Sequence, residues 1–355
     1  MEDLGMKKFW CGKTILLTGH TGFKGSWLAE ILLSLGAHVT GCALEAKRQD
    51  DLFHLCKLQD RLDHHIVDIR NKNRLLKIFQ QTRPDIVFHL AAQPLVLPSY
   101  KDPVTTWETN VMGSLNVLEC LKTINKCCAV VMVTTDKVYE IADGIPPKIE
   151  SDHLGGHDPY SSSKAAMEIA VSSWRRSFFA QSDIKIATAR AGNVIGGGDR
   201  SDYRIIPDLI HALSHQIALE IRNPHAVRPW QHVLEPLFGY LKLAKALYLD
   251  QQKIYQTSFN FGPDKGLIAT VDDLVNAAGE IWGGEMQRTV NDITMHEAPF
   301  LFLDSTKAQN LLGWKPRWSF ADTVFYTVNW YKNHLQGSDA ASLVREQIDA
   351  YVETV

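Results

Sequence analysis

Residues 14–25 read TILLTGHTGFKG, and this stretch decides the fold. Its first four residues are apolar enough for a buried strand that ends at Gly19. Gly19, Gly22 and Gly25 then recur at every third position, just ahead of a helical stripe built from Leu28, Ile31, Leu32 and Leu35. Strand, glycine-rich turn and helix in that order make a cradle for a pyrophosphate. The first glycine permits the tight turn, the second lets the backbone approach the phosphates, and the third lets the helix pack on the sheet. The helix start then offers free N–H groups to the anion.

Working outward, Gly36 reads as the C-terminal stop of that helix. Short apolar runs at 39–44, 66–67, 86–90, 130–133 and 184–189 alternate with helical patterns at 71–82, 104–124 and 161–178. Strands that are apolar throughout and alternate with helices predict an α/β, Rossmann-type, doubly wound parallel sheet covered on both faces. After Gly198 the alternation weakens and prolines accumulate. Helices are expected at 235–249 and 271–282, and the strand at 259–261 is expected to return to the sheet. The division expected is a dinucleotide-binding domain over 7–198, a smaller and interleaved substrate lobe over 199–337, and a helical tail over 338–355. Residues ahead of Lys7 are expected to be dispensable.

The 355 residues carry a net charge of −3, with 45% hydrophobic and 22% charged residues. That balance describes an ordinary globular chain and leaves no electrostatic footprint for nucleic acid. No run of about 18 apolar residues predicts a membrane span, and the acidic start carries no signal-peptide pattern. The six cysteines form no CxxC pair, which predicts reduced thiols and a cytoplasmic protein. Fourteen histidines include no HExxH and no spaced ligand cluster, so no metal is expected.

The chemistry is expected at the carboxyl ends of the strands. Glu45 stands twenty positions after Gly25, where an acid binds the ribose 2′-hydroxyl, and this favours NAD; Lys47 and Arg48 keep NADP open. The cofactor set reads Gly19, Thr21, Gly22, Phe23, Lys24, Gly25, Glu45, Asp68, Ile69, Ala91, Ala92, Gln93 and Asn110, with Tyr160 and Lys164. Asp68 has a second reading, as the N-cap of the 71–82 helix. Tyr160 and Lys164 are spaced i, i+4, so they share one helix face, and Asp158-Pro159 places Tyr160 in the first turn. An ammonium and a cationic nicotinamide beside a phenol stabilise its phenolate, pulling the pKa from about 10 toward neutrality. Such a group removes an alcohol proton. Thr135, Asp136 and Lys137 follow the fifth strand. The hydroxyl suffices for alcohol oxidation, and the adjacent acid and amine point to a further proton transfer.

Taken together, the glycine triplet, Thr135, Tyr160 and Lys164 resemble the extended short-chain dehydrogenase/reductases. TGHTGFKGSWL (18–28), AAQPLV (91–96), DPYSSSK (158–164), RAGNVIGGGD (190–199), RNPHAVRPWQHVLEPL (222–237) and LGWKPRW (312–318) narrow the resemblance to the CDP-glucose 4,6-dehydratases. It runs from Lys13 to Tyr331. The resemblance implies C4 oxidation by bound NAD with Tyr160 as base and Thr135 holding the oxygen. Loss of water across C5 and C6 follows, with Asp136 as acid toward the 6-hydroxyl and its pKa raised by a dry site. Hydride return to C6 completes a cycle of deoxysugar synthesis of the kind that supplies O-antigen and lipopolysaccharide. Lys137 is either the C5 base or a charge that stabilises the enolate. Asn193, Arg190, Arg204, Arg222, Arg228 and His232 are the candidates for the nucleotide sugar, with structural parts for Arg190, Arg222 and His232 left open. A homodimer is implied through the Tyr160 helix and the long helix before it. Leu97, Ile149 and Arg200 depart from the family pattern, and the loop from 139 to 150 is short. The alternative activity is a sugar-nucleotide 4-epimerase, which needs Thr135, Tyr160 and Lys164 but neither Asp136 nor Lys137.

Overall fold

The computed structural model of the chain describes residues 2–140, 147–221, 223–264, 269–284, 286–290 and 302–354. Seven strands build one parallel sheet: β1 (Thr14–Thr18), β2 (His38–Ala43), β3 (Asp63–Ile66), β4 (Ile86–His89), β5 (Cys128–Val133), β6 (Ile184–Arg190) and β7 (Ser258–Asn260). Their order across the sheet is β7-β6-β5-β4-β1-β2-β3. The chain winds outward from β1 to β3, then returns to β4 on the other side of β1. Between β1 and β4 the connections therefore leave in opposite directions and a crevice opens at the strand ends. β7 rejoins the sheet beside β6 as expected, with Ser258 opposite Thr188.

The helices of eight residues or more among the described residues are α1 (Glu2–Trp10), α2 (Phe23–Ser34), α3 (Lys72–Thr82), α4 (Ser114–Leu121), α5 (Pro159–Ser177), α6 (Ile205–His215), α7 (Leu234–Leu249), α8 (Val271–Trp282), α9 (Phe320–Leu335) and α10 (Ala340–Glu353). Alternate strand residues separate two cores. Leu16, Val130 and Ile186 pack under α3, α4 and α5. Ile15, Leu17 and Val131 pack under α2 and α7 in a larger core that reaches from Met6 to Tyr351. That core crosses the Gly196–Gly198 junction without a break. Met6 lies buried in it, so the segment ahead of Lys7, expected to be dispensable, contributes packing.

Two elements differ from expectation. β3 begins at Asp63 rather than near Ile66. It is the sheet's edge strand, and its polar Asp63, His64 and His65 escape a reading based on apolar runs. The helix expected over 104–124 is broken. Asp102 caps a short helix at Pro103–Trp107, a π-helical turn follows at Glu108–Gly113, and α4 resumes from Ser114. The wide turn pushes Asn110 inward, where it is fully buried. The tail forms a helix as expected. Leu343, Val344, Ile348 and Tyr351 of α10 enter the main core, Tyr351 donates its hydroxyl to Glu235 at 2.7 Å, and Arg317 donates to the carbonyls of Tyr351 and Val352. No helix among the described residues is long and apolar enough to cross a membrane, and all six cysteines are free thiols.

Gly196–Gly198 has to be bare. A Cβ at Gly197 would overlap the Trp330 ring, while Trp27 Nε1 donates to the Gly197 carbonyl at 2.9 Å from the other side. Gly197→Ala is therefore expected to destabilise the protein by about 3 kcal/mol through overpacking. Gly284→Ala, whose Cβ would meet nothing within 4 Å, is expected to stay within about 0.5 kcal/mol of the parent. Urea midpoints at unchanged slope measure both.

Candidate active site

The phosphate cradle forms where β1 ends. Gly19 takes a left-handed φ of 79°, and a Cβ there would stand 2.7 Å from the Ala91 nitrogen. A Cβ at Gly25 would overlap the Gly19 carbonyl oxygen. Gly22 is different. Its Cβ would meet no protein atom closer than 3.5 Å, so the protein's own packing leaves room there. It is also the N-cap of α2 without a side-chain acceptor, and the first N–H groups of the helix face that room. A helix start left open beside a bare residue fits an anionic dinucleotide. Thr21 fastens the loop to the end of β2 through a 2.9 Å bond to the Leu44 carbonyl, and Phe23 lies against Gly196.

Lys24 turns toward Arg204, Asp136, Lys137 and Lys164. Burial and then the neighbouring charge of Arg204 pull its ammonium down to about 7, with Asp136 opposing and Lys164 and Lys137 adding repulsion. Glu45 is exposed two residues beyond β2. Asp68 does not cap α3; Asn71 does, accepting from Arg74 N. The Asp68 carboxylate is instead bound by Arg70 at 2.7 Å, which holds it below the usual carboxylate range. Ile69 is buried against Gly113, and its carbonyl accepts from Asn116.

Ala91, Ala92 and Gln93 line the crevice after β4, but the polar groups of Gln93 and Asn110 are spent on each other. Asn110 Oδ1 accepts from Gln93 N at 2.8 Å, and its amide donates to the Gln93 carbonyl and to Ser163 Oγ. The Gln93 side chain bonds Leu95 and Thr106. Expected as cofactor ligands, both side chains are braces that hold this loop against α5.

α5 begins as its sequence requires. Asp158 caps it by accepting from Ser161 N at 2.9 Å, Pro159 fills the first turn, and Tyr160 follows. The Tyr160 phenol is buried beside Thr135, the last residue before the Asp136–Val138 turn. Burial pushes it up to about 12, the Thr135 hydroxyl offsets part of this, and Asp136 adds to it. Lys164 donates to the Val133 carbonyl at 3.2 Å, and burial draws its ammonium down to about 8 against the opposing charge of Glu168. The phenolate expected near neutrality is therefore not made by the protein alone, because desolvation outweighs the nearby hydroxyl.

Asp136 is completely buried and accepts from Thr135 Oγ1 at 2.9 Å, Lys137 Nζ at 3.2 Å and Asn193 Nδ2 at 3.2 Å. It fits because Gly192 is bare; a Cβ there would overlap the carboxylate. Asn193 reaches it from a left-handed backbone with φ 48°. Thr135, Asp136, Lys137, Tyr160, Lys164 and Asn193 thus converge on one edge of the sheet.

The arginines divide. Arg190 is not a ligand for substrate. Its side chain is 3% exposed, it pairs with Glu168 at 2.9 Å, and it donates to the Tyr139 hydroxyl, the Glu150 carbonyl and Ser258. Arg204 opens α6, donates to Asp199 at 2.9 Å and acts on the Tyr160 phenol. Arg228 is half-buried on a two-residue strand, where Nη1 donates to the Val227 carbonyl. Arg222 lies outside the described residues. His232 also leaves the substrate set: it is buried edge-on to Trp27 and against Trp318, and burial holds its ring down to about 3. Arg200, a departure from the family pattern, pairs with Asp50 at 3.3 Å and lies over the Tyr331 ring. Sequence reading missed Glu168 and His89. Glu168 carried a usable signal, since it repeats the four-residue spacing of Tyr160 and Lys164.

A family model described as GDP-mannose 4,6 dehydratase matches residues 16–327. The CDP-glucose 4,6-dehydratase of Salmonella typhimurium is 42% identical over 352 residues, covering 98% of both chains. A UDP-glucose 4-epimerase of Lacticaseibacillus casei is 27% identical over 91% of this chain and 98% of its own. Among solved structures, the dTDP-glucose 4,6-dehydratase of Bacillus anthracis in complex with NAD superposes with a TM-score of 0.75 at 20% identity, covering 91% of this chain and 97% of that one. The UDP-glucose 4-epimerase of Thermotoga maritima with UDP-glucose gives 0.79 at 24% identity, covering 90% and 99%. The chain belongs to the GDP-mannose 4,6 dehydratase family.

Proposed function

We propose that the chain is a nucleotide-sugar 4,6-dehydratase that converts CDP-glucose to CDP-4-keto-6-deoxyglucose with NAD as its resident cofactor. One observation carries the reading: a buried Asp136, 3.2 Å from Lys137, stands beside the Thr135–Tyr160 pair. Alcohol oxidation and epimerisation leave that acid–amine pair without work, whereas dehydration needs it. The near-complete alignment with the Salmonella dehydratase supports the nucleotide and the hexose. NAD, held at the Gly19–Gly25 cradle and the Ala91–Gln93 loop, would supply a hydride acceptor at C4 and a donor at C6. Glu45 supports NAD over NADP, as does Arg48, whose guanidinium is bound to Asp50 at 3.0 Å.

The protein's own groups manage protons. Tyr160 takes the proton of the 4-hydroxyl while Thr135 holds that oxygen. A cation brought next to the phenol supplies the stabilisation that the buried site lacks. The 4-ketone then acidifies the C5 proton. Asp136 and Lys137 share one hydrogen bond, and with the proton on Asp136 the pair presents an acid toward the 6-hydroxyl and an amine toward C5. The hydroxyl leaves as water, C5 regains a proton, and the net change is loss of one water. Asn193 orients Asp136, and Arg204, Arg222 and Arg228 are the arginines proposed to meet the diphosphate.

The working division is 7–198 for the cofactor, 199–337 for the substrate and 338–355 as tail. The substrate is a small nucleotide sugar rather than nucleic acid or membrane, and the free thiols support a cytoplasmic enzyme of deoxysugar synthesis. A homodimer is supported by apolar side chains left outside: Val104, Trp107 and Met112 before α4, and Ile169 and Phe178 on or just past α5.

Incubated with CDP-, dTDP-, GDP- and UDP-hexoses, the protein is expected to yield from CDP-glucose a product lighter by one water. An isomer of equal mass would establish the epimerase instead. Tyr160→Phe is expected to lower turnover by about 10²–10⁴-fold with the fold intact by circular dichroism. Sedimentation is expected to show a dimer that Trp107→Glu with Ile169→Glu converts to monomer; a parent that sediments as a monomer refutes the pairing.

A further inference from the structure

We infer that Glu168 is a positioning residue for the reaction: from one turn beyond Lys164 it locks the Tyr160–Lys164 helix to the ends of three strands and keeps Lys164 in its charged form. The inference rests on the dehydratase reading only for its turnover assay.

The geometry is a hub. Glu168 is 3% exposed and lies on the same face of α5 as Lys164. Its carboxylate accepts from Thr134 Oγ1 at 2.6 Å, Thr188 Oγ1 at 2.7 Å, Arg190 Nε at 3.0 Å, Arg190 Nη2 at 2.9 Å and Ser258 Oγ at 3.3 Å. These donors stand at the end of β5, within and at the end of β6, and at the start of β7. Thr134 immediately precedes Thr135. On the far side of that turn, Arg190 donates to the Tyr139 hydroxyl at 2.7 Å, and Tyr139 donates to Asn260 Oδ1 at 2.7 Å. The Thr135–Asp136–Lys137 segment is thus gripped at both ends by one ion pair, which also holds the helix bearing the phenol.

The hub also sets the electrostatics of Lys164. On its own helix Lys164 faces neutral Tyr160 and anionic Glu168. From α2 it faces Lys24, and from β4 it faces His89, whose ring burial holds down to about 3 and therefore neutral. Among the described groups that act on it, Glu168 alone opposes the loss of its proton to desolvation. Without an ammonium there, the face of α5 that carries the Tyr160 phenol offers less positive charge to a phenolate.

The test uses protein labelled with [ε-13C]lysine, in which the Lys164 resonance is identified by its absence from Lys164→Met. In the parent its midpoint is expected near pH 8. Glu168→Gln is expected to move the midpoint down by about one pH unit, Glu168→Asp to restore it, and the alkaline limb of turnover with CDP-glucose to move in step. Should Glu168→Gln not fold because Arg190 is left unpaired, Glu168→Gln with Arg190→Met removes both buried charges, and the same fall is expected. A midpoint unchanged in the folded variant, with a turnover profile merely scaled down at every pH, overturns the inference and leaves Glu168 as a brace. Failure of the parent to dehydrate any nucleotide sugar would sink the dehydratase reading, and the lysine titration would still decide the part played by Glu168.

Discussion

The approach of Gly19 to Ala91 fixes everything that happens at the sheet edge. β1 and β4 lie side by side, and their following segments diverge, one into α2 and the other toward the π-helical turn. A side chain at Gly19 would push the two backbones apart, because the nearest atom is a peptide nitrogen that cannot swing away. Ala91 N is held in turn by Thr18 Oγ1 at 3.2 Å. Thr18 bonds His89 Nδ1 at 2.7 Å, and His89 Nε2 bonds Ser114 Oγ at 2.9 Å. Ser114 spends its hydrogen on the Asn110 carbonyl, so the proton on the His89 ring belongs to Nε2, and Thr18 donates to Nδ1. A single tautomer therefore runs the length of the relay. The crevice is shaped by hydrogen bonds that have one consistent direction.

Burial is the second constraint, and it explains why the ionisable groups here come in sets. Asp136, Glu168, Lys164 and Tyr160 are all withdrawn from water. A charge so placed is stable only with partners, and each carboxylate has several donors while Lys164 has the Val133 carbonyl and the field of Glu168. The phenol has only the Thr135 hydroxyl and the charge of Arg204 against burial, and it stays protonated. This division suits an enzyme whose base should become active only when a cationic ring joins it, since a permanently ionised phenolate in a dry site would cost more than the fold returns.

Much of this architecture was legible because it rests on backbone requirements. The cradle, the parallel sheet, the return of β7, the Asp158-Pro159 helix start and the tail helix all follow from where glycine, proline and apolar periodicity fall. What escaped notice depends on three-dimensional neighbours. β3 is polar because it is an edge. The π-helical turn leaves no compositional trace, since Glu108–Gly113 scans as ordinary helix. Arg190 and His232 were expected at the substrate, yet both lie inside the protein, one paired with Glu168 and the other packed against two tryptophans. A sequence shows that a cation or an imidazole is present; only packing shows what already surrounds it.

The glycine run at 196–198 links these themes, because it joins the cofactor helix to the segment that carries Arg204. Trp27 of α2 bonds the Gly197 carbonyl, and Tyr331 of α9 bonds the carbonyls of Gly196 and Asp199 at 3.4 and 2.8 Å. Asp199 then holds Arg204, which faces the Tyr160 phenol. α2 and Arg204 are thus linked through Trp27, the Gly197 backbone, Tyr331 and Asp199. α10 packs over Trp318 and the outer face of α2, closing the larger core from outside. The tail helix therefore helps to hold the first helix of the cradle in place.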